Sequence, residues 1–200
     1  MVVQIKEGGM PLDIEVQQDA EIGAYKDCWM QTYTGKKFHL LAPSQDEIDI
    51  EDIAGPLSKM CRYGGHTKFF YSVAEHSVLI ARKAPTPYKL AALLHDASEA
   101  YIADIIRPLK PHMPGYYEKE DIVMEAIAKK FGFQYPMPLE IKALDIAILS
   151  DERDAVMAKT DDAPGLWGNT SPALGVKITG WAPKTAYLHF MNSFLKYTRG

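Results

Sequence analysis

A chain of 200 residues with 47% hydrophobic and 24% charged residues has the balance of one globular domain with one core. Its net charge of −4 argues against non-specific nucleic-acid binding, which needs a basic surface. The apolar runs, such as Leu90 to Leu94 and Ile146 to Leu149, are far shorter than the ~20 residues of a membrane span.

Residues 1–28 are polar and irregular, with Gly8, Gly9 and Pro11 as breakers, and read as a flexible N-terminal arm. It carries no secretory signal pattern, so a cytoplasmic location is expected, and Cys28 and Cys61 read as reduced thiols. The domain is assigned to residues 29–200. Trp29 to Tyr33 and Phe38 to Leu41 flank the turn Thr34-Gly35-Lys36-Lys37, which predicts a small β-hairpin.

From Ile50 the pattern is helical. Ile50, Ile53, Ala54, Leu57, Met60 and Cys61 recur at three and four residues, with Gly64-Gly65 as the stop. A second helix is expected over Tyr71 to Lys83 and a third from Pro87 to about Tyr101. Arg107 to Gly115 reads as a proline-rich loop. A fourth helix spans Tyr116 to Phe131 and a fifth Leu139 to Thr160. A loop covers Asp161 to Gly180, and a last helix runs from Pro183 to Tyr197 with Ala186, Tyr187, Phe190, Phe194 and Tyr197 on its apolar face. The expected fold is all-α, with the hairpin at its N-terminal side.

Three of these helices carry polar residues where a core-facing helix prefers apolar ones. They are Glu75-His76, His95-Asp96 and Asp145. Buried carboxylates and imidazoles are costly unless paired or metal-bound, so the intrusions point to a common centre. Two imidazoles and two carboxylates from neighbouring helices suit zinc, manganese, iron, cobalt or nickel better than calcium. Taken alone, His76 reads as a satisfied core histidine. Asp145 has rivals in Asp151 and Asp154 on the same helix, although the run Asp151-Glu152-Arg153-Asp154 reads more simply as a solvated face or ion-pair network. The cations open to a phosphorylated ligand are Lys36, Lys37, Arg62, Lys68, Arg107 and Lys110. His39, His112 and His189 have no evident partner and read as surface.

The order His76, His95-Asp96, Asp145 resembles the H…HD…D signature of the HD-domain phosphohydrolase superfamily. The strings Cys61-Arg62-Tyr63-Gly64-Gly65-His66-Thr67, Tyr71-Ser72-Val73-Ala74-Glu75-His76-Ser77 and Leu94-His95-Asp96-Ala97-Ser98-Glu99-Ala100-Tyr101 are similar to one branch of it. That branch holds bacterial 5′-deoxynucleotidases and the phage enzymes that remove triphosphate from deoxyadenosine triphosphate.

The resemblance implies an HD-domain helical bundle and one divalent ion (cobalt, manganese, zinc, magnesium, iron or nickel) on His76, His95, Asp96 and Asp145. It implies Glu99 and Asp104 as catalytic residues, and Arg62 and Lys110 against the nucleotide. Tyr63 stands where the 5′-deoxynucleotidases often carry tryptophan; His66 and Lys68 complete the expected substrate contacts. The implied reaction is hydrolysis of a deoxynucleotide at its 5′-phosphoester. The phage-like strings favour deoxyadenosine triphosphate giving deoxyadenosine and triphosphate, in host cytoplasm if phage-encoded. The alternatives are a deoxynucleoside 5′-monophosphatase and a non-catalytic nucleotide-binding HD module. The expected partner is a small deoxynucleotide, with neither nucleic acid nor membrane, in a homo-oligomer, either a dimer or a hexamer.

Overall fold

The computed structural model describes residues 28–159 and 171–199. The expected N-terminal arm lies almost wholly outside the described residues, as does part of the loop expected over 161–180. The chain is mostly helical, with one two-stranded antiparallel hairpin among the described residues. Strands β1 (Trp29–Gln31) and β2 (Lys37–His39) pair with Met30 opposite Phe38. Phe38 is fully buried and stacks on Tyr101 at 3.8 Å between ring centroids, which ties the hairpin to the core. His39 is not a free surface residue: its Nδ1 lies 2.6 Å from Glu47 Oε1.

Helix α1 (Ile50–Lys59) begins at Asp49, whose carboxylate accepts from Glu51 N at 3.0 Å. The hairpin tip lies on α1. Thr34 Oγ1 donates to the buried Asp52 at 2.8 Å, and a Cβ on Gly55 would fall 2.8 Å from the Tyr33 ring. The periodicity carried this helix to Cys61, but it ends at Lys59. Met60 and Cys61 instead pair with the next segment, Val73 N donating to Met60 O and Arg62 N to Tyr71 O. Gly64-Gly65 accordingly belongs to a separate short turn, Arg62–Gly65.

Helix α2 (Val73–Lys83) is the hub, capped by Ser72 Oγ accepting from Glu75 N. Every residue from Val73 to Ala81 is buried. It packs on α1, on α3 (Lys89–Leu93), on α6 (Leu139–Val156) and on α7 (Pro183–Thr198). The single helix expected from Pro87 to Tyr101 is broken. Helix α3 ends at Leu93 and α4 covers only Glu99–Ile102. Between them the backbone bonds tighten to three-residue spacing, as in Ala97 N to Leu94 O and Glu99 N to Asp96 O. Ala92 O lies 2.9 Å from His95 Nδ1, so a side chain competes with the helical ladder at this point.

Helix α5 (Tyr116–Phe131) lies between Gly115 and Gly132, both left-handed. Helix α6 stops at Val156, short of the expected Thr160, and Val156 O accepts from Lys68 N at 2.7 Å. On α7, Phe190 is fully buried and Tyr187 and Phe194 pack against the core, leaving Leu188 and Leu195 outward. No helix among the described residues is long and apolar enough to cross a membrane.

Candidate metal centre and cleft

His76 comes from the middle of α2, His95 and Asp96 from the tightened turn after α3, and Asp145 from α6. The ligand atoms of His76, His95 and Asp145 all lie within 4.8 Å of one another. His76 Nε2 is 3.3 Å from His95 Nε2 and 3.3 Å from Asp145 Oδ1. Asp96 Oδ2 is 3.4 Å from His76 Nε2 and 3.2 Å from His95 Nε2, and it is shared with Arg62 Nη1 at 3.5 Å.

The tautomers follow from the partners on the far side of each ring. His95 Nδ1 lies 2.9 Å from the carbonyl of Ala92, which can only accept. His76 Nδ1 lies 2.7 Å from Glu152 Oε1, and Glu152 is held down to about 2 against the opposing effect of burial by Arg62 and His76, so it is an ionised acceptor. Both Nδ1 atoms therefore carry hydrogen, and both rings turn their Nε2 atoms toward each other and toward two carboxylates. That arrangement calls for positive charge at its centre, supplied by a bound cation or by protons on the rings. Ligands of a first-row metal sit ~3.0–3.4 Å apart when each is ~2.1 Å from the ion. The spacings at His76 Nε2 and Asp96 Oδ2 match this, and His95 Nε2 to Asp145 Oδ1 is wider at 3.9 Å. The donor set fits a divalent transition metal, and Glu152 would then complete a carboxylate–histidine–metal relay.

The same fields act on protons. Burial pushes His95 down, but Asp96 and Asp145 outweigh it and hold it at about 9. Burial and the Arg62 charge push His76 down, and Glu152, Asp145 and Asp96 raise it well above its ordinary value. Asp145 is held well below the carboxylate range: burial opposes this, but the bonds to His76 and His95 prevail.

Beside the cluster opens a cleft of about 650 Å³. Arg62, Tyr63, His95, Asp96, Glu99, Asp104, Lys110 and Asp145 line it, so most of the expected site residues meet there. His66 and Lys68 do not; both are exposed and neither lines the cleft. Lys36 and Lys37 are also elsewhere, on the hairpin against Asp49 and the Trp29 ring. Arg62 is buried, with Nε 3.2 Å from Glu152 Oε1. Tyr63 next to it has φ 58, and Gly64 and Gly65 are also positive. This strained turn swings the Tyr63 hydroxyl onto Glu152.

Glu99 is buried, and its Oε2 has no hydrogen-bond partner among the described residues. Burial and the neighbouring Asp96 and Asp104 charges raise it well above the usual glutamate range, against Arg62 and Lys110. Burial also raises Asp104. Lys110 bridges Glu99 at 3.5 Å and Glu120 at 2.9 Å. The rest of the lining includes the apolar Ile105, Met124, Met137 and Leu149, with Tyr135.

Glu152 is the main residue that sequence reasoning missed. The charged run 151–154 reads as a solvated face, yet Glu152 is fully buried and gathers His76, Arg62, Tyr63 and Tyr71. The available signal was its spacing. Seven residues after Asp145, it returns to the same helix face two turns on. Asp151 and Asp154, the rivals of Asp145, are occupied elsewhere. Asp151 accepts from the backbone of Leu174, Gly175 and Val176, and Asp154 pairs with Arg153 on the surface. Glu75, beside His76, also faces away from the cluster and accepts from Thr179 N, Gly180 N and Trp181 N.

Fold and site thus define a helical protein with a half-buried two-histidine, two-carboxylate cluster at the end of an acidic cleft. No protein-family model matches the chain. It is 36% identical over 167 residues to the uncharacterized protein YfdR of Escherichia coli strain K12, covering 83% of this chain and 93% of that protein. It is 35% identical over 164 residues to an uncharacterized protein of Rhodobacter capsulatus, covering 74% of this chain and 84% of the relative. The chain belongs to the family of YfdR.

Proposed function

We propose that the chain is a metal-dependent phosphohydrolase of the HD-domain type that cleaves the 5′-phosphoester of a deoxynucleotide in the cytoplasm. The observation that carries this reading is the 3.3 Å approach of two imidazole Nε2 atoms whose Nδ1 atoms both have acceptors, flanked by Asp96 and Asp145 and opening onto the cleft with Glu99. His76, His95, Asp96 and Asp145 would hold one divalent ion. When bound, such an ion supplies Lewis-acid polarisation of a phosphoryl oxygen and a more acidic water.

The chain's own residues supply the rest. Burial and the Asp96 and Asp104 charges favour the protonated form of Glu99, which suits it to protonate the leaving 5′ oxygen. Asp104, also raised, stands in the same cleft as a second proton carrier. Glu152 fixes the His76 tautomer, and Ala92 O that of His95. The apolar part of the lining accommodates sugar and base.

The charges of the cleft favour a monophosphate over deoxyadenosine triphosphate. Arg62 is held between Glu152 and Asp96 and Lys110 between Glu99 and Glu120, which leaves the exposed Arg107 as the cation of the cleft open to a phosphate. A triphosphate carries about four negative charges and needs cations in surplus. The test is a panel of deoxynucleotides incubated with cobalt, manganese, zinc or magnesium. The expected result is phosphate from deoxynucleoside monophosphates, abolished by Asp96→Ala. Triphosphate release from deoxyadenosine triphosphate without monophosphatase activity would overturn the charge argument. Neither product with any ion would leave a nucleotide-binding module.

A further inference from the structure

The three cations of the cleft are held in different ways. Arg62 is buried, and its guanidinium lies between Glu152 and Asp96. Lys110 is only 17% exposed and sits between Glu99 and Glu120, so its departure would leave two acids unpaired. Arg107 is 63% exposed and, among the described residues, makes one ion pair, Nη2 to Asp145 Oδ2 at 3.0 Å. It stands on the rim, in the exposed stretch 106–109 that follows α4.

Asp145 is divided between two neighbours. Oδ1 faces the imidazoles of His76 and His95, and Oδ2 faces Arg107. Loss of Arg107 therefore strands no charge, because Asp145 keeps its contacts at the cluster. An ion pair held by so exposed a side chain is weak and exchanges readily. A phosphate dianion carries more charge than the carboxylate, and its oxygens match the guanidinium fork.

We propose that Arg107 is the phosphate clamp of the cleft: it leaves Asp145 Oδ2 and closes on the phosphoryl oxygens of the bound substrate. This rests on the phosphohydrolase reading. It makes Arg107 the specificity residue for a terminal, doubly charged phosphate, since a phosphodiester offers one charge fewer. Arg62 and Lys110 remain in place throughout, as fixtures of the site.

The test compares the full-length wild type with Arg107→Gln and Arg107→Lys, each loaded with the same divalent ion. Calorimetry measures inorganic phosphate binding and the affinity for the ion, and steady-state kinetics with a deoxynucleoside monophosphate give KM and kcat. In Arg107→Gln, phosphate affinity falls and KM rises by about ten- to a hundredfold, with a smaller change in kcat and unaltered metal affinity. Arg107→Lys recovers part of the loss. Weakened metal affinity with unchanged phosphate binding would overturn the clamp and make Arg107 a positioning residue for Asp145. Unchanged phosphate binding and KM together would also overturn it. A wild type that hydrolyses no phosphoester would refute the phosphohydrolase reading instead, while inorganic phosphate binding would still decide the role of Arg107.

Discussion

Glu152→Gln is the most informative single change. The substitution keeps shape and volume but removes the charge and turns one acceptor oxygen into an NH2 group. In the wild type every neighbour of this carboxylate is a donor. His76 Nδ1 and Tyr71 Oη meet Oε1 at 2.7 and 2.9 Å, and the Tyr63 hydroxyl and Arg62 Nη2 meet Oε2. With its NH2 toward Oε2, the amide confronts Arg62, which cannot accept. With its NH2 toward Oε1, it confronts His76, which can accept only by moving its hydrogen to Nε2, the atom that faces the cluster. Either orientation takes the fully buried Glu152 charge from Arg62 and leaves it with Asp96 at 3.5 Å. Breaking a buried ion pair from one side costs about 3–5 kcal/mol. For a chain of this length that is a fall of about 6–20 °C in Tm. Loss of the group that orients a ligand histidine lowers metal affinity by about 10–100-fold. Thermal melts followed by circular dichroism, with and without added zinc or manganese, measure the first effect. Calorimetric titration with the ion measures the second. A variant that melts with the wild type and binds the ion equally well would refute the assignment of Glu152 as the anchor of His76 and Arg62.

Three further outcomes are expected. Stripping divalent ions with a chelator should lower Tm by about 5–11 °C relative to protein held at a hundredfold excess over Kd, where binding contributes about 2.7 kcal/mol. An unmoved melting curve would argue against a metal at His76, His95, Asp96 and Asp145. Glu99→Gln should reduce turnover by about 10²–10⁴-fold and stabilise the protein increasingly as pH rises. A carboxyl raised in the folded state contributes stability that is full below its ordinary value of 4.5 and is lost as pH rises through the folded value. Melts of both proteins from pH 5 to 8 check the sign; a wild type that gains on the variant with rising pH would contradict it. Glu75→Gln should cost about 1–3 kcal/mol, because an amide cannot accept from all three backbone N–H groups of Thr179, Gly180 and Trp181. Its metal affinity, read by the same titration, should match the wild type, since Glu75 faces away from the cluster that its neighbour His76 joins.

The sequence by itself determined the helical class, the hairpin and most element boundaries, because periodicity and caps are local. Asp49, Ser72, Gly115 and Gly132 mark ends that the structure keeps within a few residues. It also singled out the residues that converge. A histidine or carboxylate on an apolar helix face has to find a partner, and His76, His95, Asp96 and Asp145 are such residues. Only the tertiary structure decided which neighbour in each charged pair or run turns inward. Glu75 and His76 are adjacent but serve different faces of α2. Asp151 and Glu152 are adjacent on α6, one clasping the backbone at 174–176 and the other buried beneath His76. The choice rests on long-range electrostatics. A carboxylate can be fully buried only where buried donors meet it, and Arg62, Tyr63, Tyr71 and His76 come from 76 to 90 residues away. The position of Arg107 has the same origin, since its partner Asp145 stands 38 residues further along the chain.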